Sequence, residues 1–202
     1  MAPREIPVYL FLGFLESGKT TFIQETMEDE RFDSGERTLL LVAEEGEVEY
    51  DPSRFAVEHF AVEEVDEAGL NGRNLAALVQ KHRADRVVLE YNGMWELQKL
   101  FDAMPDGWLI AQVMTFFDST TFLAYNKNMR QLVYDKIPYA DMVVFNRFDD
   151  KFSKEEFHKI VRGASRRPGI VFEYPGGRAE YDEIEDPLPY DINAKVIEIE
   201  DR

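Results

Sequence analysis

Residues 6–20 constrain the fold of this chain more than any other stretch. An apolar, β-rich run over residues 6–12 ends at Gly13-Phe14-Leu15-Glu16-Ser17-Gly18-Lys19-Thr20, and residues 19–30 then carry Phe22, Ile23 and Met27 at helical spacing. Strand, loop and helix in that order give G-x-x-x-x-G-K-S/T the context it requires. Glycine at positions 13 and 18 lets the backbone wrap an anion, with N–H groups and the helix N-terminus directed at it. This chemistry assigns Gly13, Glu16, Ser17, Gly18, Lys19, Thr20 and Thr21 to phosphate binding. Lys19 reaches the β- and γ-phosphates and is the first catalytic candidate, and the Thr20 hydroxyl is a magnesium ligand. Glu16 places a carboxylate inside an anion-binding loop. It weakens phosphate binding unless its side chain points to solvent.

Five further short apolar runs, over residues 38–43, 86–89, 109–117, 142–145 and 170–172, read as strands buried on both faces. Helical patterns alternate with them over residues 75–82, 94–104, 126–137 and 153–162. The last opens on Ser153 with Glu156 three residues on, a capping box. The order predicts an α/β fold of the P-loop NTPase class: a mostly parallel sheet flanked by helices on both faces.

Charge narrows the partners. With 23 basic and 40 acidic side chains, a formal charge of −17 repels nucleic acid and anionic membrane surfaces. The longest apolar stretch outside the first strand, residues 108–117, is about half of the roughly 20 residues a membrane span needs. The absence of cysteine excludes disulfides and thiolate chemistry and fits a reducing, cytoplasmic setting. The histidines His59, His82 and His158 have no ligand spacing and read as surface or structural residues, and Trp95, Trp108, Phe116 and Phe117 read as core.

Two kinds of strand end carry further chemistry, as ligands gather at strand ends in such sheets. Residues 141–149 run from a buried strand into Asn146-Arg147-Phe148-Asp149. A carboxylate at Asp149 accepts from both the ring N–H and the exocyclic amine of guanine, a donor pair that adenine lacks. Arg147 stands where a lysine stem packs on the base in N-K-x-D; the bland alternative is a solvated turn. On the metal side, Glu90 directly follows a buried strand, and Glu44 and Asp51 bracket an acidic segment that reads either as a switch-like metal loop or as a solvated one. Glu47 in that segment is a candidate base for the attacking water.

These blocks resemble the CobW/HypB/UreG family of P-loop GTPases, in particular its CobW-like branch, over roughly residues 5–175. Residues 12–21 resemble G-F-L-G-A-G-K-T-T, residues 43–51 resemble N-E-F-G-E-V-G-x-D, Glu90-Tyr91-Asn92-Gly93 resembles E-x-x-G, and residues 146–149 resemble N-K-x-D. The resemblance implies a GTPase with slow intrinsic turnover, GTP and GDP as ligands, magnesium as cofactor, dimerisation coupled to nucleotide state, and a protein partner or metal cargo. It places Lys19 and Thr20 on phosphate and magnesium, Glu44 and Asp51 in the metal-side switch, Glu90 in the Walker B position, and Asn146 and Asp149 on guanine. The branch's C-x-C-C metal motif has no counterpart here. Residues 63–72 offer only oxygen donors in its place, so thiolate transfer of zinc or cobalt does not carry over.

The expected organisation is a nucleotide-binding domain over residues 1–178 and an acidic tail over residues 179–202. The tail ends in a strand-like stretch, residues 194–200, that either closes the sheet edge or precedes a second domain. Three other function classes stay open from the residues alone: a nucleotide-binding switch without hydrolysis, an ATP-dependent phosphotransferase, against which Asp149 argues, and a structural or interaction domain with a vacant loop.

Overall fold

The computed structural model describes residues 5–43 and 49–184. Its centre is an eight-stranded sheet with β1 (Ile6–Gly13), β2 (Thr38–Val42), β3 (Phe60–Glu64), β4 (Arg86–Glu90), β5 (Trp108–Asp118), β6 (Met142–Asn146), β7 (Gly169–Glu173) and β8 (Ala179–Tyr181). The spatial order is β3-β2-β4-β1-β5-β6-β7-β8. All pairings are parallel except β7 with β8. The helices are α1 (Lys19–Glu28), α2 (Gly72–His82), α3 (Leu97–Ala103), α4 (Ser119–Asn128), α5 (Arg130–Lys136) and α6 (Lys154–Ala164). The mostly parallel P-loop class expected from the alternating pattern is the observed one.

The two faces of the sheet are packed unequally, and the alternation of side chains along β1 sets this up. Val8, Leu10 and Leu12 point to one face, where Leu39, Leu41, Val87 and Leu89 join Leu75 of α2 and Leu97 and Leu100 of α3. On the same side, Phe117, Phe145 and Phe172 meet Phe122, Val133, Phe157 and Val161 from α4, α5 and α6. Phe11 points the other way, with Leu40, Val88, Phe116 and Val144, onto Ile23 and Met27 of α1. Trp108 is buried in the first cluster, with Trp95 packed against it, as core residues.

The elements missing from the sequence reading have physical reasons. β3 is an edge strand with one partner, and its Phe60-Ala61-Val62-Glu63-Glu64 is neither a continuous apolar run nor cleanly alternating. α4 begins directly after β5, capped by the Asp118 side chain on the Thr120 N–H, and is only weakly amphipathic. The single helix expected over residues 126–137 is instead divided at Met129, where the backbone leaves helical geometry (φ −133°, ψ 41°). Ser153 does cap α6, accepting from the Glu156 N–H. Beyond residue 178, β8 extends the same sheet; the strand expected at residues 194–200 lies outside the described residues. Among the described residues no helix is long and apolar enough to cross a membrane.

Candidate nucleotide site

β1 delivers the chain to the C-terminal edge of the sheet at Gly13, where a tight loop turns into α1. A Cβ at Gly13 (φ +140°) would lie 2.2 Å from the Phe116 carbonyl oxygen, so only glycine lets the loop leave this close to β5. Gly18 is restricted by its backbone conformation (φ +100°), and a Cβ there would also displace the Asn146 side chain, whose Nδ2 would lie 2.2 Å away. Between them Glu16 adopts φ +60° and is exposed, so its side chain is not buried within the loop. Lys19 is 2% exposed, and its ammonium donates to the Gly13 and Phe14 carbonyls at 2.9 and 2.8 Å. Ser17 Oγ is buried with no hydrogen-bond partner. An orphaned hydroxyl, a buried ammonium and two glycines with no room for a side chain together form a cradle that suits a phosphate chain. Thr21 follows, exposed, in the first turn of α1.

The side of the loop expected to face a metal is built from α1 and the end of β4. Thr20 Oγ1 donates to Glu90 Oε1 at 2.7 Å, and the Tyr50 phenol donates to Glu90 Oε2 at 2.5 Å. Glu90 is 2% exposed. A hydroxyl and a carboxylate meeting in a sheltered spot beside the phosphate loop are hard oxygen donors, and they fit magnesium. Asp51 is spent differently in the described contacts. Its Oδ1 accepts from Ser53 N and Oγ at 3.1 and 2.6 Å, capping the 3-10 turn Pro52–Arg54. The Ser53 bonds hold its carboxyl below the usual range. Glu44 and Glu47 lie outside the described residues.

The turn from Asn146 to Asp149, expected to read the base, leaves β6 beside the same loop. Asn146 Nδ2 donates to the Ser17 carbonyl at 3.4 Å, and its Oδ1 accepts from the Arg147 N–H at 2.7 Å. Arg147, at φ +53°, bonds Asp118 Oδ2 through Nε and Nη2 at 2.9 and 2.6 Å and also donates to the Glu16 carbonyl. Its guanidinium therefore clasps the phosphate loop to the end of β5 rather than lying free to stack on a base. Phe148 is fully buried among Phe152, Phe157, Phe172 and Tyr174, which fixes the turn and leaves Asp149 outside. The Asp149 side chain is 52% exposed and pairs with Lys151 Nζ at 3.3 Å. The Lys151 N–H and ammonium keep its carboxyl below the usual range, ionised at neutral pH.

Three contributors escaped the sequence reading. Asp118 ends β5 as Glu90 ends β4, and the rule that ligands gather at strand ends points to it. Gly93 belongs to the E-x-x-G block; a Cβ there would lie 2.3 Å from the Gly13 carbonyl oxygen and 2.5 Å from Phe14 Cα, so its missing side chain admits the phosphate loop. Tyr50 lies inside the acidic block, and a lone phenol among carboxylates carries no spacing signal. In the stretch without cysteines, the oxygen donors make local contacts: Glu63 with Lys81 and His82, Glu67 with Lys99, Asp66 with the Gly69 N–H. Among the described residues no group of three or more His, Asp or Glu is placed to hold a metal ion. The histidines act structurally where contacts are seen, His158 forming a buried pair with Asp182.

The fold is shared with solved structures. The crystal structure of Zn(II)-bound YjiA GTPase from E. coli aligns with a TM-score of 0.59 at 20% identity, over 87% of this chain and 59% of YjiA. The chain thus spans less than two thirds of that protein. Hydrogenase maturation factor HypB from Archaeoglobus fulgidus aligns with a TM-score of 0.57 at 14% identity, over 86% of this chain and 84% of HypB. No curated protein matches the chain. The family model described as CobW/HypB/UreG, nucleotide-binding domain, matches residues 7–168. That span contains the phosphate loop, Glu90 and the Asn146 to Asp149 turn, and on it the chain belongs to the CobW/HypB/UreG family.

Proposed function

We propose that this chain is a magnesium-dependent guanine-nucleotide-binding domain that hydrolyses GTP slowly and couples nucleotide state to a partner-protein or metal-related task. The observation that carries the reading is the convergence of both other blocks on one loop: Asn146 approaches Ser17 at 3.4 Å from the base side, and Glu90 meets Thr20 at 2.7 Å from the metal side. In this arrangement the loop N–H groups and Lys19 bind the phosphates. Lys19 exchanges its two backbone carbonyls for phosphate oxygens, a charge-assisted contact stronger than the ones it leaves. Asn146 and Arg147 hold the loop against the base-reading turn, and ionised Asp149 selects guanine by accepting from its two donors. Thr20 and Glu90 would hold magnesium, which when bound spreads the negative charge of the β- and γ-phosphates. The similarity in fold to YjiA, a GTPase, supports the same nucleotide.

The test is calorimetric titration of the chain with GDP, GTP and ATP, each with and without magnesium, and of Lys19→Ala alongside. Guanine-selective binding that tightens with magnesium and vanishes in Lys19→Ala is the expected result. Equal affinity for ATP removes the role given to Asp149, and binding that survives Lys19→Ala removes the phosphate-loop assignment.

A further inference from the structure

Tyr50 belongs to neither the phosphate loop nor the base-reading turn, yet it touches the carboxylate on which the metal side depends. Its phenol O–H lies 2.5 Å from Glu90 Oε2, while Thr20 Oγ1 occupies Oε1 of the same group. The ring packs against the cluster that contains Ile23, Met27 and Val88. The next residue is docked on α1 at two points: the Asp51 N–H donates to Gln24 Oε1 at 3.0 Å, and Gln24 Nε2 donates to the Asp51 carbonyl at 3.1 Å. Tyr50 and Asp51 thus tie this described stretch both to Glu90 and to α1.

We propose that Tyr50 is a positioning residue for the magnesium side of this site: its phenol holds Glu90 while the metal is absent and gives up that oxygen when magnesium arrives with nucleotide. The inference rests on the magnesium-nucleotide reading above. At 2.5 Å the bond from the Tyr50 phenol to Glu90 Oε2 has the length of a strong hydrogen bond. A cation held by Thr20 and Glu90 would draw electron density from the same carboxylate and make it a poorer acceptor for the phenol, so metal and phenol would compete for Glu90. Linkage makes the effect reciprocal: the Tyr50 contact weakens magnesium binding by as much as magnesium weakens the contact. Residues 49–51 thereby sense whether the metal is in place.

Tyr50→Phe removes the hydroxyl and keeps the ring, so the packing on α1 persists. Amide hydrogen exchange over residues 49–53 is compared in the full chain, parent and Tyr50→Phe, without ligand, with GDP, and with GDP and magnesium; the magnesium affinity of each GDP complex is titrated in parallel. The expected result is faster exchange in the ligand-free variant than in the parent, acceleration by magnesium in the parent only, and magnesium affinity in the variant higher by on the order of three- to tenfold. A residue with only a packing role moves neither the magnesium affinity upward nor the magnesium dependence of exchange. Unchanged or weaker magnesium affinity, or exchange identical in the two proteins while the parent binds GDP with magnesium, overturns this proposal alone. A parent that binds no GDP overturns the nucleotide reading and takes the release step with it.

Discussion

Arg147 meets one oxygen of Asp118 with two nitrogens, Nε at 2.9 Å and Nη2 at 2.6 Å, and so joins the ends of β6 and β5 across the phosphate loop. The same guanidinium donates to the Glu16 carbonyl. Both Arg147 and Glu16 sit at positive φ, a conformation that costs a non-glycine residue free energy unless its surroundings hold it. The clasp supplies that support. Arginine in place of lysine in the N-K-x-D pattern therefore gains a second contact, because a fork of donors serves the carboxylate and the loop carbonyl together.

Arg147→Lys tests the fork, since it keeps the charge and loses the geometry. One ammonium cannot serve Asp118 through two nitrogens and reach the Glu16 carbonyl as well, so the loop loses part of its tether. The expected outcome is a folded protein whose affinity for GDP falls by about tenfold, read by calorimetry. Unchanged affinity would mean that the clasp does not shape the loop.

Asp118 gives the clasp a pH dependence. Burial pushes its carboxyl up, but hydrogen bonds from Thr120 and Arg147 outweigh this and hold it below its ordinary value of 3.8. A carboxyl depressed in the folded state stabilises the protein above its unfolded pKa and loses that contribution as pH falls through the folded value. At pH 7, Asp118→Asn is expected to cost about 1–2 kcal/mol, discounted because Arg147 is 45% exposed. In urea unfolding the gap between parent and variant should narrow as pH drops below about 4. A gap that is constant with pH removes the charge from the account.

Gly93→Ala addresses a different constraint. The added Cβ would meet backbone, the Gly13 oxygen at 2.3 Å and Phe14 Cα at 2.5 Å, and no flexible side chain can move aside. Overpacking of this kind costs about 1–3 kcal/mol. Because the displaced backbone is the start of the phosphate loop, GDP affinity should fall along with the melting temperature. A variant with lower stability and parental affinity would show that the loop tolerates the shift.

Much of this architecture could be read from residue patterns, and the parts that could not share a cause. Strands with neighbours on both sides, such as Val87-Val88-Leu89 and Val143-Val144-Phe145, stand out as unbroken apolar runs because both their faces are covered. β3 has a single partner and two glutamates, so nothing in its pattern separates it from a loop. The phosphate loop was legible because glycine, lysine and threonine sit at fixed spacing within one short segment. Asp118, Gly93 and Tyr50 act across long sequence separations, 29 residues from Asp118 to Arg147 and 40 from Tyr50 to Glu90, and only the folded sheet brings them to the site. The Asp51 side chain acts locally in its described bonds, capping the turn that follows it.

Under the proposed function base choice rests on Asp149, and its surroundings make the expectation specific. The carboxylate is half exposed, ionised, and held from its own turn by the Lys151 N–H at 3.0 Å and the Lys151 ammonium at 3.3 Å. Phe148 beside it is locked in the aromatic cluster, so the turn is rigid and substitution at 149 should change chemistry more than shape. Asp149→Asn replaces one acceptor oxygen with a donor that opposes the guanine amine. Preference for GDP over ADP should fall by on the order of tenfold or more, with the affinity for ADP little changed. Lys151→Ala is the control, because exposed ion pairs of this kind contribute little; it should leave the preference near the parental value. If Lys151→Ala shifts the preference as far as Asp149→Asn does, the turn conformation selects the base, and the carboxylate does not.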